Sequence, residues 1–564
     1  MITKSEIAKV LEEIAFLLAL KGENPFKVKA YSKAARIIRN LPEQPAALAE
    51  KGALTEIQGI GPTLAGTITE LITSGSSRLH QELRAPYPST VLENLLKLAE
   101  VPGLGPQHVG LIYERLGVAT VGELQYAGVE NRLAELPGFG KKTQEKILAG
   151  IQRFQRHQGN RLYADVIGEA EELLLALRAV PGVQRAEFAG ALRRKNELVQ
   201  NFSFVLAGEE SLHERVCSVP GLQRLVVEKS GTASAVSVQG LPVEFNIVPE
   251  QNYGWELFAA TGNPQHVEAV TQRLTSQESF DTEQAVYAAA GLSWVPPEMR
   301  EGYGEVELAM AGQLPSLVET SQVQGIFHNH TVYTDGSATV EQMARAAQAL
   351  GYRYIGISDH SQSAYYVHGL KEDRIIAQRE EIEVVQAKLP GIRIFKGIEA
   401  DILADGSMDY PDDILASFDF VIASVHSRFN LSEEDQTRRL CRALTNPYVT
   451  MLGHATGRLL LSRDGYRVDM RKIIDTAAEQ DKLIEINASR HRLELDWRWC
   501  RYAKEQGVKF SINPDAHSTE ELRNIPWGIN VARKGGLTAT EVINTLPVGK
   551  MAAYLQARRP NLVL

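Results

Sequence analysis

From about residue 320 onward, apolar runs of strand length alternate with helical patterns, and six of those runs end on side chains suited to holding metal ions. They read IFHNH (His328, His330), YIGISDH (His360), FKGIEAD (Glu399), VIASVH (His426), VTMLGH (His454) and FSINPDAH (Asp515, His517). Asp335, in the loop after the first run, adds a ninth residue. Six of the chain's 13 histidines thus fall at one kind of place. Alternating β and α over this length predicts a parallel sheet or barrel, in which catalytic groups project from the C-terminal ends of the strands. The His-x-His spacing puts both rings on one side of an extended segment. Imidazole and carboxylate donors without thiolate suit Zn²⁺, Mn²⁺ or Fe²⁺. Nine donors exceed what one ion needs, so more than one metal is expected. A single histidine would be read as structural; six at strand ends are not.

The chain has 564 residues, enough for about three or four domains. Cys217, Cys441 and Cys500 show neither metal nor redox spacing, which predicts a reducing, cytoplasmic setting. The opening MITKSEIAKVLEEIAFLLALKG carries Glu12 and Glu13 and reads as an amphipathic helix, not a signal peptide. No run is apolar for long enough to span a membrane. With a net charge of −9 the whole chain is no polycation, so a nucleic-acid partner needs local basic patches.

Residues 1 to about 155 are helical in pattern and repeat one motif, LTEIQGIGPTLAGTI, LAEVPGLGPQHVGLI and LAELPGFGKKTQEKI. Each predicts a helix, a Gly-x-Gly turn (Gly59 and Gly61, Gly103 and Gly105, Gly138 and Gly140) and a second helix. Such turns let a phosphate backbone reach the N–H groups that open the second helix, which positions DNA without reading its sequence. Lys141 and Lys142 follow the third turn and suit a phosphate. One copy could be a plain turn; three copies favour DNA binding. Lys21, Lys27, Lys29, Lys33, Arg36 and Arg39 add a basic run that alone would be a solvated face. From about 160 to 250, a helical pattern followed by VQRAEFAG, VQNFSFVLAG, RLVVEKSG, AVSVQG and PVEFNIVP predicts a small α+β domain.

KGENPFKVKAYSKAAR, the GIG turn and AGALRRKNELVQNFSF resemble the bacterial family X DNA polymerases, and the resemblance runs along essentially the whole chain. It implies a multidomain protein: an α-helical lyase-like domain with a helix-hairpin-helix motif at 1–85, and a fingers-like helical domain with two more at 86–158. An α+β nucleotidyltransferase-like palm at 159–250 and a shortened thumb-like region at 251–316 follow. A distorted (β/α) barrel of the PHP (polymerase and histidinol phosphatase) type closes the chain at 317–564. HNHTVYTDGS, ISDHS, KGIEADILADGSMDYP, IASVHS, GHATGR and NPDAHS resemble PHP motifs, with all nine ligand positions filled. The resemblance implies three metals, Mn²⁺ or Zn²⁺ with Mg²⁺ as a further candidate. His328, His330, Glu399 and Asp515 would hold the first and carry the catalytic role. Glu399, His426 and His454 would hold the second, and Asp335, His360 and His517 the third. Arg458 is expected on a phosphate.

The palm departs from the family. Gly190, Ala191, Leu192, Arg193 and Arg194 match its Gly-Ser-x-Arg-Arg segment, but Asn201 and Ser203 stand where a paired Asp should be, and Glu244 where a third Asp is expected. One carboxylate does not hold two Mg²⁺ in octahedral geometry. The Tyr-Phe-Thr-Gly-Ser segment of the family's nucleotide pocket reads Ala259-Ala260-Thr261-Gly262-Asn263, the stretch between His266 and Thr282 is short, and the lyase lysine falls at Thr67. A hydroxyl forms no Schiff base. Arg193 and Arg194 are still expected to grip a phosphate. The expected function is therefore a repair protein that hydrolyses DNA phosphodiesters, as a Mn²⁺-dependent 3′→5′ exonuclease on gapped, nicked or 3′-ended DNA, with a degenerate palm. The alternatives are an active Mn²⁺-dependent gap-filling polymerase and a non-catalytic DNA-end scaffold. No membrane and no obligate protein partner are expected.

Overall fold

The computed structural model describes the chain apart from residues 1, 42, 130, 131, 158, 210, 211, 217, 228–231, 276–278 and 559–564. Cys217, part of RLVVEKSG and three residues of the short stretch before Thr282 therefore lie outside the described residues. The chain divides into two compact units, Met1–Gln158 and Gly159–Leu564.

The first unit is helical. Its opening helix, Lys4–Leu20, starts at a capping box in which the Thr3 side chain accepts from Glu6 N while the Glu6 carboxylate accepts from Thr3 N at 2.7 Å. Ile7, Leu11, Ile14 and Leu18 recur at helical spacing and are buried against Tyr31, Ala35 and Ile38 of the helix Pro25–Asn40. Three times the chain passes a left-handed glycine and a second glycine and then enters a helix. Gly59 precedes Pro62–Ser74, Gly103 precedes Pro106–Leu116, and Gly138 precedes Lys141–His157. In the first and third copies, short 3₁₀ turns, Ala53–Glu56 and Leu133–Glu135, stand immediately before the glycines, where the motif predicts a full helix.

The second unit opens with the short strand β1 (Arg161–Leu162), which pairs with β3 (Leu198–Val199). Between and after them come β2 (Arg185–Phe188), β4 (Phe202–Ala207), β5 (Leu222–Val227), β6 (Thr232–Ser237) and β7 (Pro242–Val248), a five-stranded sheet in the order β2-β4-β7-β6-β5. Only the β4–β7 pair is parallel. Alternation along β4 sends Phe202, Phe204 and Leu206 to one face, under the helix Tyr163–Arg178. Val205 and Ala207 go to the other, with Tyr253 and Leu257 of the helix Tyr253–Thr261.

Seven parallel strands follow in sequential order: β8 (Gly325–Ile326), β9 (Tyr354–Ile357), β10 (Arg393–Asp401), β11 (Phe420–Ser424), β12 (Met451–Leu452), β13 (Leu483–Asn487) and β14 (Phe510–Asn513). Just past β8 and β14 the chain almost closes the barrel, where His330 N donates to Ala516 O at 2.8 Å. Phe327, Tyr354, Phe395, Phe420 and Met451 fill the barrel, and Met551 and Leu555 of the helix Val548–Ala557 pack into the same core. Gly356 and Gly397 make the room: a Cβ at either would overlap the Phe420 ring. The glycines in YIGISDH and FKGIEAD are thus packing residues under the metal-binding strand ends. The palm sheet belongs to the same unit as the barrel and meets it through Tyr163 and Trp527, whose rings lie 5.9 Å apart, and through Arg490 and Asp165 at 2.8 Å.

Candidate metal centre

All nine strand-end residues come together at the C-terminal mouth of the barrel. Glu399 lies at the middle. Its Oε1 is 3.2 Å from His328 Nε2, 3.3 Å from His426 Nε2 and 2.8 Å from His454 Nε2; its Oε2 is 3.6 Å from His330 Nε2 and 2.8 Å from His360 Nδ1. Asp515 Oδ1 is 3.4 Å from His328 Nε2 and 3.3 Å from His330 Nε2. Asp335 meets His360 Nε2 at 3.5 Å and His517 Nε2 at 3.3 Å. His328 (φ 56°) and Asp515 (φ 51°) both hold left-handed backbone, which costs about 1 kcal/mol or more at a non-glycine residue. Ala516 N, donating to His328 O at 3.2 Å, ties the two strained segments together.

These side chains fit metal ions because of what they otherwise lack. His328 Nε2, both nitrogens of His330, His360 Nδ1, His454 Nδ1 and Glu399 Oε2 are buried with no hydrogen-bond partner among the described residues. Orphaned buried polar atoms are costly, and six in one cluster point to a missing partner common to all. Burial, then His517 and His360, holds the His330 pKa down at about 3, so its ring is a neutral lone-pair donor. Burial opposes charge on Glu399, but His426, His328 and His360 outweigh it and keep the carboxylate ionised far below its usual range. Asp515 is held ionised against burial in the same way by His328 and His330. Imidazole nitrogens set against ionised carboxylates, in overlapping groups of three or four donors, fit a polynuclear metal site.

Four residues beyond the nine build the surroundings. Glu485, fully buried, accepts from His328 Nδ1 at 2.6 Å and from His454 N at 2.8 Å. Asp401 meets His426 Nδ1 at 2.5 Å. Each fixes its imidazole so that the other nitrogen faces Glu399. Asp359 accepts from Thr331 N at 2.8 Å and binds both Thr334 and Gln378, holding the loop that carries Asp335. Arg492 Nε lies 3.2 Å from Asp515 Oδ2, while its NH1 is buried without a hydrogen-bond partner. Glu485 interrupts an apolar run, LIEIN, and Asp401 lies two residues past Glu399; both signals were readable. Arg492 follows no such pattern.

Arg458 does not take the role expected of it. Its guanidinium donates to Asp496 at 2.8 Å and to the carbonyls of Arg492 and Leu493, and lies 3.5 Å from Glu197 of the palm. Its hydrogen bonds go to the fold, and Arg492 stands at the centre instead. Arg193 and Arg194 likewise bind groups of the fold. Arg193 makes a bidentate pair with Glu283 at 2.7 Å, and Arg194 binds Glu301 at 2.9 Å and Thr261 O. The palm register sets Ser203 beside Glu244, with Asn201 one residue before β4. Glu244 is exposed, and Asn201 and Ser203 are half-buried. Gly190 holds a left-handed turn ahead of them, and Ala191 is half-buried. Thr67 is buried, donating to Thr63 O at 3.1 Å, with no cation at that position. Cys441 and Cys500 are free thiols, and no helix among the described residues is long and apolar enough to cross a membrane.

The barrel and its centre define the class: a PHP-type hydrolase fold carried behind helix-hairpin-helix modules. Comparison bears this out. A PHP domain matches residues 327–489, a helix-hairpin-helix domain matches 2–77 and a SAM-like helix-hairpin-helix tandem matches 95–153. The chain is 33% identical over 98% of its length to the DNA polymerase/3′-5′ exonuclease PolX of Bacillus subtilis, covering 99% of that protein. Its C-terminal part is 31% identical to a probable phosphatase of a Thermoanaerobacter species, over 41% of this chain and 94% of that one. It is 34% identical to a probable phosphatase of Caldicellulosiruptor saccharolyticus, over 35% and 80%. The chain belongs to the PolX family, the bacterial family X DNA polymerases with a C-terminal PHP domain.

Proposed function

We propose that this protein is a DNA 3′-end nuclease of repair, in which the barrel hydrolyses phosphodiesters and the palm no longer makes them. The observation that carries the reading is a contrast. The barrel mouth has a full set of nine donors with orphaned ligand atoms, while of the three expected acid positions in the palm only Glu244, beside Ser203, carries a carboxylate. His328, His330, Glu399 and Asp515 would hold one ion, Glu399, His426 and His454 a second, and Asp335, His360 and His517 a third, with Mn²⁺ or Zn²⁺ suiting this donor set. Bound there, the ions supply water activation and charge stabilisation at phosphorus. Glu485 and Asp401 orient His328 and His426. Arg492, whose Nε lies 3.2 Å from Asp515 Oδ2, would meet a phosphate oxygen drawn to the ions. The helix-hairpin-helix modules support DNA as the substrate, and the Bacillus subtilis relative is named an exonuclease.

That relative is also named a polymerase, which supports a second reading: gap filling through Glu244. One experiment separates the two. Labelled gapped DNA is incubated with Mn²⁺, Mg²⁺ or Zn²⁺, with and without dNTPs. Shortening from the 3′ end is expected, lost when His328 and His330 become Ala, with no template-dependent extension. Digestion unchanged in that variant sinks the nuclease assignment. Extension that disappears in Glu244→Gln establishes the polymerase reading instead.

A further inference from the structure

The loop after β9 starts at His360, one of the nine donors, and is clasped where it leaves the barrel. Leu370 N donates to His360 O at 2.8 Å and Ser361 N donates to Glu399 O at 3.0 Å, so both ends of residues 361–370 are tied to the metal-binding strands. Ser361 Oγ accepts from Asp401 N at 2.9 Å, Ser363 N donates to Asp409 at 2.6 Å, and Tyr410 OH donates to Leu370 O. Gly369 packs so tightly against Ser361 O that a Cβ there would overlap it, and His368 is held at φ 61°. A loop fixed this firmly is a rigid mount.

The mount carries Tyr365 and Tyr366, whose side chains face solvent. Tyr365 is 84% exposed and Tyr366 59% exposed, with ring centroids 5.9 Å apart and planes nearly perpendicular. Val332, two residues past His330, is 50% exposed. Burial and the charges of Asp401, Glu399 and Asp335 act on the Tyr366 hydroxyl together and push it up to about 12, so that ring lies within the field of the centre. Two adjacent tyrosines displayed on a braced loop cover no core, and each offers a free π-face. Nucleobases stack on such faces whatever the sequence, because every base has one. A protein partner would need a far wider apolar patch than two rings and one valine.

We propose that Tyr365 and Tyr366 form a stacking platform for the unpaired 3′-terminal bases of a DNA strand, setting its last phosphodiester at the metal centre. This rests on the nuclease reading above and adds to it a positioning site for single-stranded ends. Stacking on the platform makes the enzyme depend on the presence of a terminal base and not on its identity.

The test uses the full-length protein and a single-stranded oligonucleotide carrying 2-aminopurine as its 3′-terminal base. In EDTA, binding of the wild-type protein is expected to quench the probe. Tyr365→Ala/Tyr366→Ala is expected to bind the strand, read by anisotropy, without quenching it, and Tyr365→Phe/Tyr366→Phe to restore the quench. With Mn²⁺, kcat/KM of the Ala variant is expected to fall roughly ten-fold to a hundred-fold on a base-bearing 3′ end, with little change on a strand ending in an abasic residue. Quenching that survives the Ala variant, or an equal loss on both strands, overturns the platform. A wild-type protein that cleaves neither strand refutes the nuclease reading, and the quench still decides the platform.

Discussion

At the scale of the residue, the centre depends on who orients each ligand. His328 has Glu485 on Nδ1 at 2.6 Å, which leaves Nε2 as the only nitrogen free to face Glu399 and Asp515. Glu485 also accepts from Asn487 and Asn513, so its own rotamer is locked. Replacing Glu485 with Gln keeps the shape but removes the charge and offers an amide that can meet Nδ1 in either sense. Mn²⁺ affinity, read by calorimetric titration of metal-free protein, is expected to fall about 10- to 100-fold, as for other partners of metal-binding histidines. Unchanged affinity would reduce Glu485 to a packing role. The nine donors were legible because each ends or closely follows an apolar run, and the barrel puts such ends in one place. Arg458 and Arg492 were not, because an arginine reaches far from its backbone position and its partner is set by loops with no periodic signature.

At the scale of the element, the palm segment expected to grip a phosphate forms a joint. The consecutive cations Arg193, Arg194 and Lys195 each meet a glutamate from the thumb-like stretch: Glu283, Glu301 and Glu298. Glu301 also pairs with Lys534 of the barrel helix Ile525–Lys534, and Glu298 with Arg533 at 2.7 Å. The segment was legible as a motif but its partners were not, since they lie 90 and 107 residues downstream for the two arginines. Glu283 is the most buried of the three arrangements' carboxylates, and fully buried Arg300 binds it as well. Burial opposes its charge, and Arg193 and Arg300 outweigh that, lowering its pKa from 4.5 to about 2. A depressed carboxylate stabilises the fold above its unfolded pKa and ceases to as pH falls through the folded one. The shift corresponds to about 3 kcal/mol, present at pH 7 and lost between pH 4.5 and 2. Glu283→Gln is expected to lower the urea-unfolding free energy of this region by about that amount at pH 7 and to flatten its dependence on pH below 4.5. A variant as stable as the wild type at pH 7 would show that the arginines find other partners.

At the scale of the whole molecule, the candidate DNA-binding turns and the candidate metal centre reside in separate cores. The helices of Met1–Gln158 bury their own set, from Ile7 to Ile151, and the barrel buries another, from Val318 to Val542. The three Gly-x-Gly turns, with Lys141 and Lys142 after the last, lie in the first unit, and every metal donor lies in the second. Backbone contacts at helix starts are sequence-independent and carry much of a DNA-binding protein's affinity, whereas hydrolysis needs only the ions and a phosphodiester at the barrel mouth. A chain beginning at Gly159 is therefore expected to retain Mn²⁺ binding and to hydrolyse a small phosphodiester at the full-length rate. On gapped duplex DNA it is expected to lose about ten-fold or more in kcat/KM, chiefly through KM, and to show a shallower dependence of affinity on salt, because fewer phosphates are neutralised. Small-diester hydrolysis by the shortened chain and by the full chain, with anisotropy titrations on gapped DNA from 50 to about 200 mM salt, measures both terms. Equal KM on DNA for the two proteins would move the binding surface into the second unit, where the joint between palm and barrel would be the next place to look.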